Sequence, residues 1–354
     1  MDQSLPPIPL RTADYDFDLP ERLIAQTPAR PRDAARLLDA RGDAPVDRTV
    51  SHLPTLLGPG DLLVVNDTRV VPARLRARRG AARVEVLLNR PEGGGRWHAL
   101  VRNARRLRPG DVLDVEGTTL RALVVSRDGG EAVLDLGPDE AVVLAALDAA
   151  GEVPLPPYVA RPGGPTSADR EDYQTAFARA PGAVAAPTAS LHFTPALLAA
   201  LDARGVGRVA LTLHVGAGTF LPVRGDDPRA HRLHAERGEV AADAAAAISG
   251  ARGRVVAVGT TALRLLETAS RPDGSVEPFE GLTDLYILPG HRFRSPARAL
   301  MTNLHLPRST LLMLVHAYAG AARARAAYAH AVANQYRFYS YGDSCLFARE
   351  DATA

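Results

Sequence analysis

Apolar and polar positions change rhythm along this chain. Residues 61–71, DLLVVNDTRVV, form an apolar, β-branched run broken by Asn66-Asp67-Thr68, which predicts a buried strand that delivers a polar turn. From residue 73 to about 137 the rhythm shortens. RVEVLL, WHALV, DVLDV, TTLRALVV and EAVLDL are separated by GG, PG and DGG turns, the texture of a small antiparallel barrel or sandwich. A helix near 141–149 and the rigid PLPPY at 154–158 lead out of it. After Tyr158 the order becomes strand, polar turn, helix: GAVAA (182–186), VALTLHV (209–215), RVVAV (254–258), DLYIL (284–288) and ALMTNLHLP (299–307) each run into a polar segment. Residues 18–38 read as partly helical, with Leu19, Leu23 and Ile24 on one side and prolines as punctuation.

This pattern predicts an α/β fold: a mainly parallel, barrel-like large domain with an inserted small antiparallel β-barrel domain. The expected division is a flexible tail over 1–13, the first part of the large domain over 14–72, the insertion over 73–152, and the second part of the large domain over 153–354.

Composition narrows the chemistry. The chain has 354 residues and a formal net charge of only +2, so a polyanionic partner must be met by a local patch. It contains no lysine, and all 42 basic residues are arginine, which excludes a Schiff-base lysine and a Walker lysine. Cys345 is the only cysteine, so an internal disulfide and a thiolate metal cage are excluded. The Pro-rich, acidic start has no apolar signal core and no run reaches membrane-spanning length, so a cytoplasmic protein without a membrane partner is expected.

Each polar cluster also admits a plain structural role. In AAPTASLHFTPALL, Thr194 and Pro195 open a helix, which leaves Thr188, Ser190 and His192 to the preceding turn. VALTLHVGAGTF ends its apolar alternation at His214, and Gly216 and Gly218 permit close backbone approach to a ligand. It lacks the third glycine of a dinucleotide fingerprint. In GTTALRLLET, Thr260 and Thr261 stand at a helix N-terminus, where amides and hydroxyls hold a carboxylate or only cap the helix. His231, His234 and Glu236 of HRLHAE have a weak metal-like spacing, and no metal is expected from it. Arg74, Arg76, Arg78, Arg79 and Arg83, with Arg102, Arg105, Arg106 and Arg108, load the small domain with charge that can track RNA or simply be solvated. Trp97, Phe338, Tyr339 and Tyr341 either stack bases or fill a core.

Longer blocks carry a resemblance. FDLPERLIAQTP, GDLLVVNDTRVVPARL, PGAVAAPTASLHFT, LHVGAGTFLPV, HRLHAE, GTTALRLLE, TDLYILPGHRF, TNLHLPRSTLLMLV and YRFYSYGD, in this order from about Phe17 onward, resemble the S-adenosylmethionine:tRNA ribosyltransferase-isomerase family of queuosine biosynthesis. The resemblance implies transfer of the ribosyl carbons of S-adenosylmethionine to the aminomethyl group of a 7-deazaguanine base at the tRNA wobble position. The product is epoxyqueuosine, with release of adenine and methionine. S-adenosylmethionine is then a co-substrate; no cofactor, metal or obligate protein partner is implied.

By residue type, His214 and Glu236 are proton-transfer candidates with Asp67 in reserve. Gly216, Gly218, Thr219 and Phe220 would enclose the nucleoside, and Thr260 and Thr261 would receive the methionine carboxylate. Arg69, Thr188, His192, Phe193, Asn303 and His305 complete the expected substrate-binding set. The chain departs from the family pattern at Ser190, where a glycine is expected, at Ala34-Ala35, where a serine is common, at Leu233, where methionine is usual, and at His291, where tyrosine is usual. Two other readings stay open: a paralogue using the same chemistry on a small-molecule amine, and an RNA-binding module without turnover.

Overall fold

Runs of buried β-branched residues become the middle of a sheet, as both-faced burial requires. The computed structural model describes residues 10–102, 104–216, 218, 223 and 225–352. In chain order its strands are β1 (Arg36–Ala40), β2 (Val46–Thr49), β3 (Leu62–Asn66), β4 (Thr68–Val70), β5 (Arg74–Arg79) and β6 (Ala82–Gly93). There follow β7 (Arg96–Arg102), β8 (Val112–Val115), β9 (Arg121–Asp128), β10 (Glu131–Asp135), β11 (Ala180–Ala183) and β12 (Gly207–Leu213). The last are β13 (Glu236–Val240), β14 (Val255–Val258), β15 (Phe279–Thr283), β16 (Ala297–Asn303) and β17 (Ser344–Ala348).

The chain divides into two compact units. The first comprises Met1–Asn66, Thr188–Leu211 and Gly218–Ala354, the second Asp67–Pro187 and Thr212–Ala217. The first is built on a nine-stranded mixed sheet in the order β15-β13-β12-β3-β14-β16-β17-β1-β2. Its centre is parallel, through β12–β3, β3–β14 and β14–β16. Antiparallel pairs enter at β16–β17, β1–β2 and β13–β15. Since β3, β14 and β16 run the same way, their carboxyl ends lie along one edge, which sets Asn66, Gly259 and Asn303 there.

The second unit holds a closed barrel, β10-β7-β6-β5-β8-β9, antiparallel throughout. Leu75, Val86, Leu88, Trp97, Leu113 and Leu134 fill it, and the helix Glu140–Ala150 adds Val143 and Leu147 to the same core. The expected class, an α/β domain with an inserted antiparallel barrel, is the one observed. Of the aromatic residues with two possible roles, Trp97, Phe338 and Tyr341 are core residues.

Local readings fare unevenly. Thr194 caps the helix Pro195–Ala203, accepting from the Leu197 amide, and Ser309 caps Thr310–Ala319 in the same way. Residues 18–38, read as partly helical, instead form two short 3-10 turns and then β1, which pairs with β17 and β2. Prolines at 20, 28 and 31 interrupt any helical hydrogen-bond ladder. GAVAA does not join the large sheet; β11 ends at Ala183 and pairs with β4 in a separate two-stranded sheet. DLYIL is not a strand either, because the chain pairs one step earlier, through β15 against β13. No helix among the described residues is long and apolar enough to cross a membrane.

Candidate active site

In the first unit the polar residues at the strand ends are buried and held by one another. Asn66, at the end of β3, donates from Nδ2 to Thr261 Oγ1 at 3.4 Å. Thr260 and Thr261 open the helix Thr260–Thr268, but neither is its N-cap. Gly259 is, at φ +91°, and supplies no side-chain cap, so the first helical turn relies on other partners. The turn Thr188–His192 packs on this edge: a Cβ on Gly259 would lie 3.6 Å from that of Ala189.

His192 is buried, and burial pushes its pKa down against the opposing hydrogen bond from Asn303. The orientation of that bond follows from its neighbours. Asn303 Nδ2 donates to the Tyr339 and Ser340 carbonyls at 3.0 and 3.1 Å, so its Oδ1 faces His192 Nε2 at 3.0 Å. A carbonyl oxygen only accepts, so Nε2 carries the proton of a neutral ring. His305 is likewise buried, with its pKa pushed down to about 3, and pairs with Thr302 Oγ1 at 2.9 Å. Ser190 Oγ is fully buried and has no hydrogen-bond partner among the described residues. Phe193 is core.

Glu236 begins β13 and accepts from Arg264 Nη1 at 2.7 Å, with both side chains about 5% exposed or less. Arg264 Nε also donates to the Leu285 carbonyl at 3.0 Å, while Nη2 is buried with no hydrogen-bond partner among the described residues. One turn on, Glu267 accepts from His291 Nε2 at 3.0 Å and from the Arg294 and Ser295 amides. Burial opposes its charge, but these donors prevail and hold its carboxyl below the usual range. Among the described residues no group of three or more His, Cys, Asp or Glu is arranged to hold a metal ion. Gly218 lies against the protein's own His234, where a Cβ would come within 2.9 Å of Cδ2. Thr219 and Phe220 lie outside the described residues.

The second unit holds the other candidates. Asp67 is buried and accepts from Thr212 Oγ1 at 2.6 Å and from Arg179 at 2.8 Å. His214 Nδ1 lies 2.8 Å from Thr68 Oγ1. Its ring packs on Gly182, where a Cβ would lie only 2.9 Å from the imidazole. A Cβ on Gly216 would likewise lie 2.9 Å from Asn89 Oδ1. Arg69 sits in β4 opposite Pro181. Sequence reasoning missed Arg264, Arg179, Thr212 and Gly182. Arg264 alone had a visible signal, a charge set between Leu263 and the pair Leu265-Leu266 in an otherwise apolar run.

A parallel-centred sheet with interlocked polar side chains at its strand ends, in a chain that also closes an antiparallel barrel, defines an α/β enzyme architecture. The family model described as "Queuosine biosynthesis protein" matches residues 12–347, and the chain belongs to that family. It is 63% identical over 342 residues to the S-adenosylmethionine:tRNA ribosyltransferase-isomerase of Gluconacetobacter diazotrophicus, covering 95% of this chain and 96% of the relative. The protein of the same description from Acidiphilium cryptum is 56% identical, with 96% and 100% covered. The crystal structure of S-adenosylmethionine tRNA ribosyltransferase from Thermotoga maritima matches with a TM-score of 0.54 at 34% identity, over 94% of this chain and 99% of that one.

Proposed function

We propose that this chain transfers and isomerises the ribosyl moiety of S-adenosylmethionine onto the aminomethyl-7-deazaguanine base at the tRNA wobble position. The product is epoxyqueuosine-tRNA, and adenine and methionine leave. The observation that carries this reading is the near-full-length identity to relatives described as S-adenosylmethionine:tRNA ribosyltransferase-isomerases. A cytoplasmic setting follows from a tRNA substrate.

The chemistry asks for a base that removes a proton beside the sulfonium and for donors that stabilise the departing adenine. Of the three proton-transfer candidates we rank His214 first. Asp67 and Glu236 already accept from arginines, so proton abstraction by either would disturb an ion pair. Thr260 and Thr261 are the candidates for the methionine carboxylate, and Gly216, Gly218, Thr219 and Phe220 those for the nucleoside. Arg69, Thr188, His192, Phe193, Asn303 and His305 are the further substrate-binding candidates. No metal or second cofactor takes part.

The test is incubation with S-adenosylmethionine and tRNA bearing the aminomethyl base, read as adenine release and as a mass gain on the nucleoside. Activity is expected to survive a chelator and to be lost in His214→Ala while tRNA still binds. Adenine release that depends on a small-molecule amine and not on tRNA would sink this reading.

A further inference from the structure

The arginines of the barrel fall into two groups. Arg76, Arg78, Arg79 and Arg102 pair with Glu152, Glu116, Asp111 and Glu85 at 2.6, 2.6, 2.8 and 3.5 Å, and Arg74 stands 4.0 Å from Glu85. Arg83, Arg105, Arg106 and Arg108 make no ion pair among the described residues. Strand register gathers these four at one end of the barrel. The β5–β6 turn sets Arg83 directly opposite Arg78. β7 ends at Arg102, opposite Glu85, and the connection from β7 to β8 carries Arg105, Arg106 and Arg108. β8 then returns against β5 with Asp114 opposite Arg78. Arg78 is already paired with Glu116, so the charge left over at this strand pair is that of Arg83, available to an anion.

A groove of about 780 Å³ opens beside this end, entirely within the barrel unit. One wall is the barrel surface, with Arg83 and Arg102 at the cationic end and Arg74, Arg76 and Glu85 further in. The other wall is the segment 153–165, where Pro156 and Pro157 give a rigid apolar face. Arg74 Nε is buried in this region without a hydrogen-bond partner. The groove is not a plain basic trough. Glu85, Glu116 and Glu152 alternate with the arginines, so donors and acceptors are both on offer. Such a lining suits a nucleoside, which presents N–H and O–H donors as well as acceptors, better than a bare polyanion. Its volume lies in the range of pockets that enclose a single small-molecule-sized group. A base stacked in a duplex cannot enter it, and an unpaired base can.

We propose that this groove binds an unpaired nucleotide of the RNA, with its base against Pro156-Pro157 and its flanking phosphates on Arg83, Arg105, Arg106 and Arg108. The inference rests on the tRNA reading above and assigns a place to one part of that substrate. The two groups of arginines then have separate duties: the unpaired four grip backbone, and the paired ones shape and orient the groove.

The experiment uses the full-length protein and two labelled probes, a mixed-sequence single-stranded octaribonucleotide and a duplex RNA of equal length, titrated at several salt concentrations. Ala160→Trp fills the groove without altering charge, and Pro157→Trp does so from a second position should the first disturb the segment; thermal melting checks that both fold. Each is expected to weaken octamer binding at least tenfold and leave the salt slope near the parent's. Replacing Arg83, Arg105, Arg106 and Arg108 with serine is expected to flatten the slope by about 0.7 for each phosphate no longer neutralised. Octamer affinity within twofold of the parent in both tryptophan variants overturns the proposal, as does a parent that prefers the duplex. Adenine release with tRNA, measured on the parent alongside, separates the two readings. If tRNA is turned over while the tryptophan variants bind normally, the groove falls and the function stands; if no adenine is released, the function falls and octamer binding alone decides the groove.

Discussion

The strand-end edge of the large sheet and the arginine face of the barrel handle polar groups in opposite ways. At the edge, Asn66, Ser190, His192 and Asn303 are withdrawn from water, and three of these four are fixed by named partners. On the barrel, Arg76, Arg102 and Arg121 keep 68% or more of their side chains exposed even while paired. Low dielectric makes the first arrangement a matter of geometry, in which one missing partner leaves a buried group unsatisfied. High dielectric makes the second a matter of field, adjustable by salt and tolerant of single losses. An environment of the first kind suits chemistry that must place a proton, and one of the second kind suits capture of a long polyanion.

The contrast is broken most directly at Arg264. Arg264→Met removes the guanidinium from which the buried Glu236 carboxylate accepts, and urea unfolding is expected to show a loss of about 3–5 kcal/mol. The double variant Glu236→Leu/Arg264→Met should recover most of it, since replacing both members removes the stranded charge. Recovery of nothing would mean that the pair is held for packing alone. Next in size is Gly182→Ala in the barrel unit. Gly182 has φ +144°, and an added Cβ would press into the His214 ring at 2.9 Å. A displaced catalytic group loses on the order of 100-fold in rate, so kcat/KM should fall by about that factor with tRNA affinity within twofold. Unchanged turnover would remove His214 from the reaction.

A smaller effect concerns acid. His305 and His316 are neutral in the fold, their pKa values pushed down to about 3 by burial and about 4 by burial and the nearby Arg325. The unfolded chain binds protons at these sites below about pH 6.5, so their contribution to stability is complete above that value. It declines as pH falls toward 4, by up to about 1.4 kcal/mol per pH unit for each histidine. Melting temperature followed from pH 7.5 to 4.5 should fall, and His316→Phe should flatten the profile. The smallest effect sharpens the other side of the contrast. Arg121 and Asp114 pair at 3.2 Å with 68% and 65% of their side chains exposed, and Arg121→Ser should change stability by less than about 0.5 kcal/mol. A loss above 1 kcal/mol would show the barrel's ion pairs to be structural.

What could be read from the sequence was what short stretches decide by themselves. LLVVN and VVAV announce buried strands because nearly every position is apolar, and the turns that follow them hold Asn66 and Thr260 by chain connectivity alone. The barrel was legible for a similar reason, with alternation and glycine turns repeating at close intervals. Other elements depend on partners far away. RLLDA, at β1, reads as a helical fragment until β17, some three hundred positions later, lies alongside it. ERGEV carries almost no strand signal, yet β13 forms because β15 offers a ladder to it, the context dependence that weakens strand propensity as a guide. The ion pair of Glu236 with Arg264 was hidden for the same reason: Glu236 was legible only as a proton-transfer candidate, and only tertiary packing brings Arg264 to it.

The place of β17 has a consequence for synthesis. In the sheet it separates β16 from β1, so β1 and β2 join the remaining strands only through residues 344–348, made some three hundred positions later. On the ribosome the six strands of the barrel, complete by Asp135, can close while the first strands still wait for their neighbour. The large sheet is therefore completed only once residues 344–348 have been made, well after the barrel strands, and until then the apolar flank of Leu37 and Leu38 has no β17 to cover it.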